Sequence, residues 1–376
     1  MDFFHDYLRQ AVETMYLNTA EKKRAVHCQL ADYFEQQPAD ARIADELPYQ
    51  LEQAEEKQRL EACLSEIPLF LEIEIDKYYE LVGYWQRLGA TEKRVVAAYS
   101  EGLRKYEQSL SEKETPAWVL NNLANFFYTV GYFSSAEPLY RQALAIYKQV
   151  LPKEHPDIAL SMNNLANLLR NKGDYDGAEP LYRQALAIFE KVLPKEHPSI
   201  AASMNNLASL LYSKGDYDGA EPLYRQALAL REKVLPKEHP DIAQSMNNLG
   251  LLLSDKGDYD GAEPLYRQAL ALREKVLPKE HPSIAESMNN LASLLRNKGD
   301  YDGAEPLYRQ ALAIREKVLP KEHPDIAQSM NNLASLLDDK GDYDGAEPLF
   351  RQALAIREKV LPKEHPSIAE SMNNLA

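Results

Sequence analysis

Apolar and polar positions repeat along most of this chain with a period of 42 residues. From residue 157 to 366, five copies overlay without a gap, and 33 of the 42 columns are identical in all five. Within a copy, Ile158, Met162, Leu165 and Leu169 follow i, i+4, i+7, i+11 spacing, which predicts a helix with one apolar stripe. Pro156 suits the first turn of that helix, and the Asp or Ser after it favours a helix start. Gly173 can adopt the left-handed conformation that ends it. Asp174 then caps a second helix in which Ala178, Leu181, Tyr182, Ala185 and Val192 face inward, with Pro180 bending it slightly. The two segments are about 16 and 19 residues long, or roughly 24 and 28 Å. The linker LPKEHP closes each unit, with its histidine at 155, 197, 239, 281, 323 and 365.

Such a period marks a stacked solenoid, in which each unit buries its apolar face against its neighbours. Six units are complete, and the first, from about residue 113, departs most from the others, as terminal repeats do. The chain stops at Ala376, ten residues into a further copy, which suggests a piece of a longer array. Its last segment, Ser367 to Ala376, would expose Ile368, Met372 and Leu375, a surface suited to end-to-end self-association. Residues 1–112 lack the period but still read as helices: HDYLRQAVETMYL, EKKRAVHCQLADYFEQQ, DELPYQLEQAEEKQRLEACLSE and EKRVVAAYSEGLRKYEQSL.

Small residues stand where two helices must approach closely, at Ala166, Ala178 and Ala185. With Leu165, Gly173, Tyr175 and Tyr182 they resemble the tetratricopeptide pattern, in a unit longer than that motif's usual ~34 residues. With HPDIA, NNLA, GDYDGAEPLYRQAL and LPKEHP, residues 115–376 resemble the repeats of kinesin light chains and their bacterial relatives. The resemblance implies an all-α fold: a right-handed superhelical α-solenoid of tetratricopeptide helix pairs, whose first helices line a groove for an extended peptide or a partner helix. The order AVETMYL, EKKRAVHCQLADYF, ELPYQLEQA resembles the helical segment that follows the nucleotide-binding module of NACHT and NB-ARC (STAND) signalling ATPases, nephrocystin-type proteins among them. Unlike kinesin light chains proper, the chain has no heptad run ahead of its repeats.

A formal charge of −15 argues against sequence-independent nucleic-acid binding, which needs a basic surface. No run approaches 18 apolar residues, so no membrane span is expected. The acidic start MDFFHDYLRQ is unlike a signal peptide, and Cys28 and Cys63 form no CxxC pair; both features suit a cytoplasmic protein with reduced, buried thiols. No P-loop, GxSxG, HExxH or Cys/His metal spacing occurs, so no enzyme activity, cofactor or metal is expected. The stretch GDYDGAE has the D-x-D start of a calcium loop but lacks its glycine at position 6 and glutamate at 12, and reads as a capping turn. The histidines read as linker residues.

Nine columns differ between copies, and four of them share one face of the first helix. One reads Leu160, Ala202, Gln244, Glu286, Gln328; another Asn167, Ser209, Leu251, Ser293, Ser335. The third reads Arg170, Tyr212, Ser254, Arg296, Asp338, and the fourth Asn171, Ser213, Asp255, Asn297, Asp339. On a helical wheel they fall within about 100° of arc, opposite the apolar stripe. In the first unit Asn125 and Tyr128 fall on two of these columns. The outward face of the second helix (Asp176, Arg183, Glu190, Lys191) is identical in all five copies, so exposure alone does not account for the variation. Variation confined to one exposed face is what diversified ligand contacts would produce.

Inside that face Asn121, Asn163, Asn205, Asn247, Asn289 and Asn331 stay fixed, with Asn164, Asn206, Asn248 and Asn290 beside them. An amide donates and accepts, which suits pairing with a peptide backbone, although one of the two columns could instead bond neighbouring helices. Arg170 and Arg296 would suit acidic ligand side chains, Tyr212 and Leu251 apolar ones, and Asp338 basic ones. The chain therefore reads as a protein- or peptide-binding scaffold or sensor. The alternatives are an autoregulatory arm of a STAND-type NTPase whose catalytic module lies outside this chain, or a structural spacer or consensus array.

Overall fold

The structure, a computed structural model, describes residues 19–73, 77–110, 116–360 and 366–375. It comprises two compact units, one running to Leu181 and the other from Tyr182 onward. Every regular element among the described residues is a helix.

In the first unit, α1 (Ala20–Phe34), α2 (Ala41–Gln53), α3 (Lys57–Leu64), α4 (Ile67–Leu71), α5 (Tyr78–Arg87) and α6 (Glu92–Ser109) precede the repeats. The expected helix HDYLRQAVETMYL lies outside the described residues. The segment DELPYQLEQAEEKQRLEACLSE is not one helix: it breaks at Glu55, whose φ of 58° is left-handed, and α3 starts afresh. Helices α4 and α5, of 5 and 10 residues, escape a periodicity reading because they are too short to show a stripe. The first repeat follows as α7 (Ala117–Thr129) and α8 (Phe133–Val150), then α9 (Pro156–Asn171). The change of pattern near residue 112 leaves no gap in packing. Phe126 of α7 lies 5.4 Å from the rings of both Tyr78 and Tyr99 and 5.7 Å from Phe70, so the irregular helices and the first repeat share one aromatic core.

Helix α10 (Tyr175–Val192) contains the boundary between units. The second unit continues with first (A) helices α11 (Pro198–Ser213), α13 (Pro240–Asp255), α15 (Pro282–Asn297) and α17 (Pro324–Asp339). They alternate with second (B) helices α12 (Tyr217–Val234), α14 (Tyr259–Val276), α16 (Tyr301–Val318) and α18 (Tyr343–Val360). Each A helix packs on its own B helix, each B helix on the next A helix, and successive A helices also touch. A last helix, α19 (Pro366–Asn373), packs on α18. Ile368 is covered there at 7% exposure and Leu375 is half-buried, leaving Met372 as the exposed apolar side chain (54%), so less apolar surface is open at this end than the pattern suggests.

Local chemistry sets the repeat's corners. Gly215, at φ 81°, ends α11 with a Schellman bond from Asp216 N–H to Leu211 C=O (2.9 Å). Asp216 Oδ1 then accepts from Gly219 N–H (2.9 Å), capping α12 as the sequence suggested. A Cβ at Gly219 would lie 2.4 Å from Asp216 Oδ2, so this glycine makes room for the cap. The linker histidine is itself a cap: His239 Nδ1 accepts from Asp241 N–H at 3.2 Å, and His155, His197, His281 and His323 do the same in their repeats. Ala178, Tyr182 and Ala185 are buried, but Val192 is 38% exposed, a correction to its inward placement.

Candidate functional site

The invariant first asparagine is buried rather than presented in α9, α11, α13, α15 and α17, though Asn121 of α7 is half-exposed. Asn163, Asn205, Asn247, Asn289 and Asn331 are 6, 9, 2, 6 and 4% exposed. The second asparagine of the next repeat reaches back to it: Asn164 Nδ2 to Asn121 Oδ1 (3.3 Å), Asn248 to Asn205 (3.0 Å) and Asn374 to Asn331 (2.9 Å). Asn247 and Asn289 instead donate to Ser287 and Ser329 of the next A helix, at 2.9 and 3.4 Å. This corrects the reading in which that column holds a ligand backbone. Successive A helices touch, so the flank of each is covered by its neighbour, which a wheel for one helix cannot show. The half-exposed column is the other one: Asn164, Asn206, Asn248 and Asn290.

Many of the varied side chains also bond between or within repeats. Tyr128 OH accepts from Asn171 Nδ2 (2.8 Å), Tyr212 OH donates to Asp255, and Arg296 Nε donates to Asp339 (2.5 Å). Each is one residue of the third varied column meeting the fourth column of the following repeat, and these pins join repeats one to two, three to four and five to six. The Asp339 carboxylate holds the Arg296 guanidinium above its ordinary pKa. Burial raises the Tyr212 phenol, and its bond to Asp255 adds to this. Arg296 and Tyr212 are thereby engaged, contrary to their expected use on acidic and apolar ligand groups. In the second column Asn125, Ser209 and Ser293 bond the B-helix tyrosines Tyr140, Tyr224 and Tyr308 at 2.7, 2.9 and 2.8 Å. Asn167 also has a bonding partner, whereas Ser335 and Ser254 make no side-chain bond among the described residues. Leu160 (52%) and Leu251 (39%) stand exposed, Arg170 is half-exposed and Asp338 exposed.

The first varied column serves an arginine that the sequence reading passed over. Arg273, 3% exposed, donates to Ser283 C=O (2.7 Å), Ser287 Oγ (2.9 Å), Glu286 Oε2 (3.0 Å) and Gln244 Oε1 (2.7 Å). Arg357 repeats this clamp with Ser367, Ser371, Glu370 and Gln328. Arg231 and Arg315 make just the serine and carbonyl hydrogen bonds, to Ser245 and Asp241 and to Ser329 and Asp325, and Arg231 also pairs with the Asp241 carboxylate at 3.8 Å. Burial pulls both below the ordinary arginine pKa, and the facing aspartate opposes that shift. The available signal was an arginine within an apolar stripe, in the column where the second repeat has Phe189. Clamped junctions (four to five, six to seven) thus alternate with pinned ones (three to four, five to six), following the D-x-x-Q and S-x-x-E alternation at the start of the A helices.

The invariant B-helix face has a structural reason for its invariance. Lys256, Lys298 and Lys340 each bridge an Asp and a Glu of the preceding B helix, as in Lys298 to Asp260 (3.0 Å) and Glu263 (2.8 Å). The same glutamates pair at i,i+4 with Arg225, Arg267 and Arg309. Their carboxyls are held below the usual range, first by the lysine and then by the arginine. That face is therefore constrained by bonds between repeats, and its constancy is no control for the variation on the A helices. Among the described residues no group of His, Cys, Asp and Glu is placed to hold a metal, and no helix is long and apolar enough to cross a membrane.

Comparison with known proteins agrees with this architecture. A family profile described as the nephrocystin-3 TPR domain matches residues 27–236, and tetratricopeptide-repeat profiles match 199–275 and 283–359. Mouse (Mus musculus) nephrocystin-3 is 32% identical over 167 residues, which is 43% of this chain and 13% of that protein. A Podosopora anserina putative kinesin light chain with nearly identical TPR-like repeats is 33% identical, over 55% of this chain and 97% of that one, with a TM-score of 0.49. BtubC (BKLC) from P. vanneervenii is 26% identical, over 62% of this chain and 93% of that one, with a TM-score of 0.51. Since one family's domain profile spans more than half of the residues, irregular helices and repeats together, this chain belongs to the nephrocystin-3 tetratricopeptide-repeat family.

Proposed function

We propose that this chain is a non-enzymatic scaffold that holds an extended protein segment along the exposed face of its A helices. The observation that carries the reading is the half-exposed amide column of the second unit, Asn206, Asn248 and Asn290, repeated on successive A helices. Those helices are close enough for Asn248 to bond Asn205 at 3.0 Å. An interaxial spacing of about 8–10 Å passes roughly three residues of an extended chain per repeat at ~3.3 Å each. Asn206 and Asn290, which make no side-chain hydrogen bond among the described residues, can then offer amides to the ligand backbone, while exposed side chains such as Leu251 and Asp338 select what flanks it.

The test compares two variants of the full chain, each checked for native helicity by circular dichroism. Asn206→Ala with Asn290→Ala removes amides from the A-helix face, and Arg225→Ser with Arg267→Ser removes side chains from the B-helix face. Binding of a partner captured by the wild-type chain should weaken about tenfold in the first and stay within twofold in the second. The reverse pattern sinks the assignment. The rival reading, a regulatory arm for an NTPase module elsewhere in a longer protein, is favoured by the family match starting at residue 27, ahead of the periodic array. It predicts that the isolated chain binds such a module in trans.

A further inference from the structure

The junction between repeats four and five combines three features that no other described junction of the second unit has together. It has no pin: Ser254 and Asn297 occupy the two columns that hold Tyr212 and Asp255 or Arg296 and Asp339 elsewhere, and neither side chain bonds anything among the described residues. Its amide rung is open. Asn247 Nδ2 is turned to Ser287 Oγ (2.9 Å), and Asn247 Oδ1 has no partner although the residue is 2% exposed. At the equivalent rungs, Asn205 and Asn331 accept from the second asparagine of the next repeat, whereas Asn289 Oδ1, at the following junction, is unmet like Asn247 Oδ1. Here that second asparagine, Asn290, is half-exposed and makes no hydrogen bond among the described residues. An acceptor this deeply buried costs roughly 1–3 kcal/mol while unmet, so closing the rung is favourable once something orients Asn290.

The third feature is the pair Gly250–Leu251, where the other repeats have Ala followed by Ser or Asn. Leu251 cannot bond the B-helix tyrosine as Ser209 and Ser293 do, and it stands 39% exposed. Gly250 lets the Tyr266 ring come close, since a Cβ there would lie 3.0 Å from its Cε1. The local charge has one sign. Asp255, exposed, is bonded to a neutral phenol, whereas Arg296 is paired with Asp339, and Lys256, Lys298 and Lys340 are tied to the B-helix carboxylates.

We propose that this junction anchors an extended, basic protein segment, with an apolar ligand side chain on Leu251 and a ligand backbone N–H on Asn290. This deepens the scaffold reading above and rests on it. A ligand N–H given to Asn290 Oδ1 orients the amide so that its Nδ2 meets Asn247 Oδ1, completing the rung. A lysine or arginine side chain beside the apolar residue faces the Asp255 carboxylate.

The probes are two capped nine-residue peptides, one alternating lysine and leucine, the other glutamate and leucine, titrated into the full chain by fluorescence anisotropy. The lysine peptide should bind at least tenfold more tightly than the glutamate peptide. Leu251→Ser should weaken it about tenfold, and so should the double variant Ser254→Arg with Asn297→Asp, which copies the Arg296–Asp339 pin. These substitutions introduce residues that other repeats already have in the same columns, so the fold should survive them. Glu316→Gln, on the exposed face of the B helix α16, should leave affinity within twofold. If both junction variants bind the lysine peptide like wild type while Asn206→Ala weakens it, the anchor is overturned and the A-helix face stands. If only Arg225→Ser with Arg267→Ser weakens it, both readings fall. Failure of the lysine peptide to bind, or tighter binding of the glutamate peptide, also overturns the anchor.

Discussion

Replacing Arg273 with Met should destabilise the junction of repeats four and five by about 3 kcal/mol. The guanidinium makes four bonds, two of them to the buried Ser287 Oγ (2.9 Å) and to Ser283 C=O (2.7 Å). Hydrogen bonds to a charged group contribute ~1.5–3 kcal/mol each, which sets the scale at two bonds' worth. The loss stays at the low end of what a broken buried pair costs, ~3–5 kcal/mol, because Glu286 and Gln244 are half-exposed and can turn to water. Ser287 also keeps its bond from Asn247. Arg315, in the same column one repeat later, makes only two bonds and is half-exposed, so Arg315→Met should cost roughly half as much. A solenoid opens locally, so native-state hydrogen exchange of amides in α14 and α15 is the assay, with α16 and α17 reporting the Arg315 variant. A difference of ~1.5 kcal/mol is roughly tenfold in the opening constant. Gln244→Ala should be measurable in the wild-type background and nearly silent in Arg273→Met, since the two residues act as one unit. Equal costs for the two arginines, or additive effects of Gln244→Ala and Arg273→Met, would refute the clamp.

Two further outcomes follow from the repeat chemistry. Lys340 and Arg309 lower the folded-state pKa of Glu305, so its ion pairs contribute stability above the ordinary glutamate range and lose it as pH falls through that lowered value. The pair is largely at the surface, so the stability gap between wild type and Glu305→Gln in urea should be a few tenths of a kcal/mol at pH 7 and close by pH 3; a gap independent of pH contradicts it. His239→Ala should cost about 1 kcal/mol by leaving Asp241 N–H uncapped, whereas His239→Asn, which keeps an acceptor, should recover most of it in thermal melts; equal losses would mean the imidazole acts by packing instead.

The helix pairs, their ends and their apolar faces were legible in the chain because they depend on residues three or four apart. The stripe of Ile242, Met246, Leu249 and Leu253 is buried as its spacing implies. Gly257, at φ 82°, ends α13, and Asp258 caps α14. The candidate site was legible only in part. The wheel placed Asn205 and Asn248 on one exposed arc, yet one is buried and the other half-exposed, because the neighbouring A helix covers one flank of that arc. Variation was legible, but its pairing was not. Tyr212 answers Asp255 and Arg296 answers Asp339 across 43 residues, a relation invisible when columns are read one at a time.

The sequence by itself determined that this is a stack of two-helix units with a fixed period, since periodicity, glycine and capping chemistry act within a few residues of chain. Tertiary structure decided which exposed positions remain available to another molecule. Availability depends on what the next repeat contributes: its asparagine on Asn205, its aspartate on Tyr212 or Arg296, its serine and glutamate on Arg273. Leu251 is exposed and Asn290 makes no hydrogen bond among the described residues, which only the packed array could show.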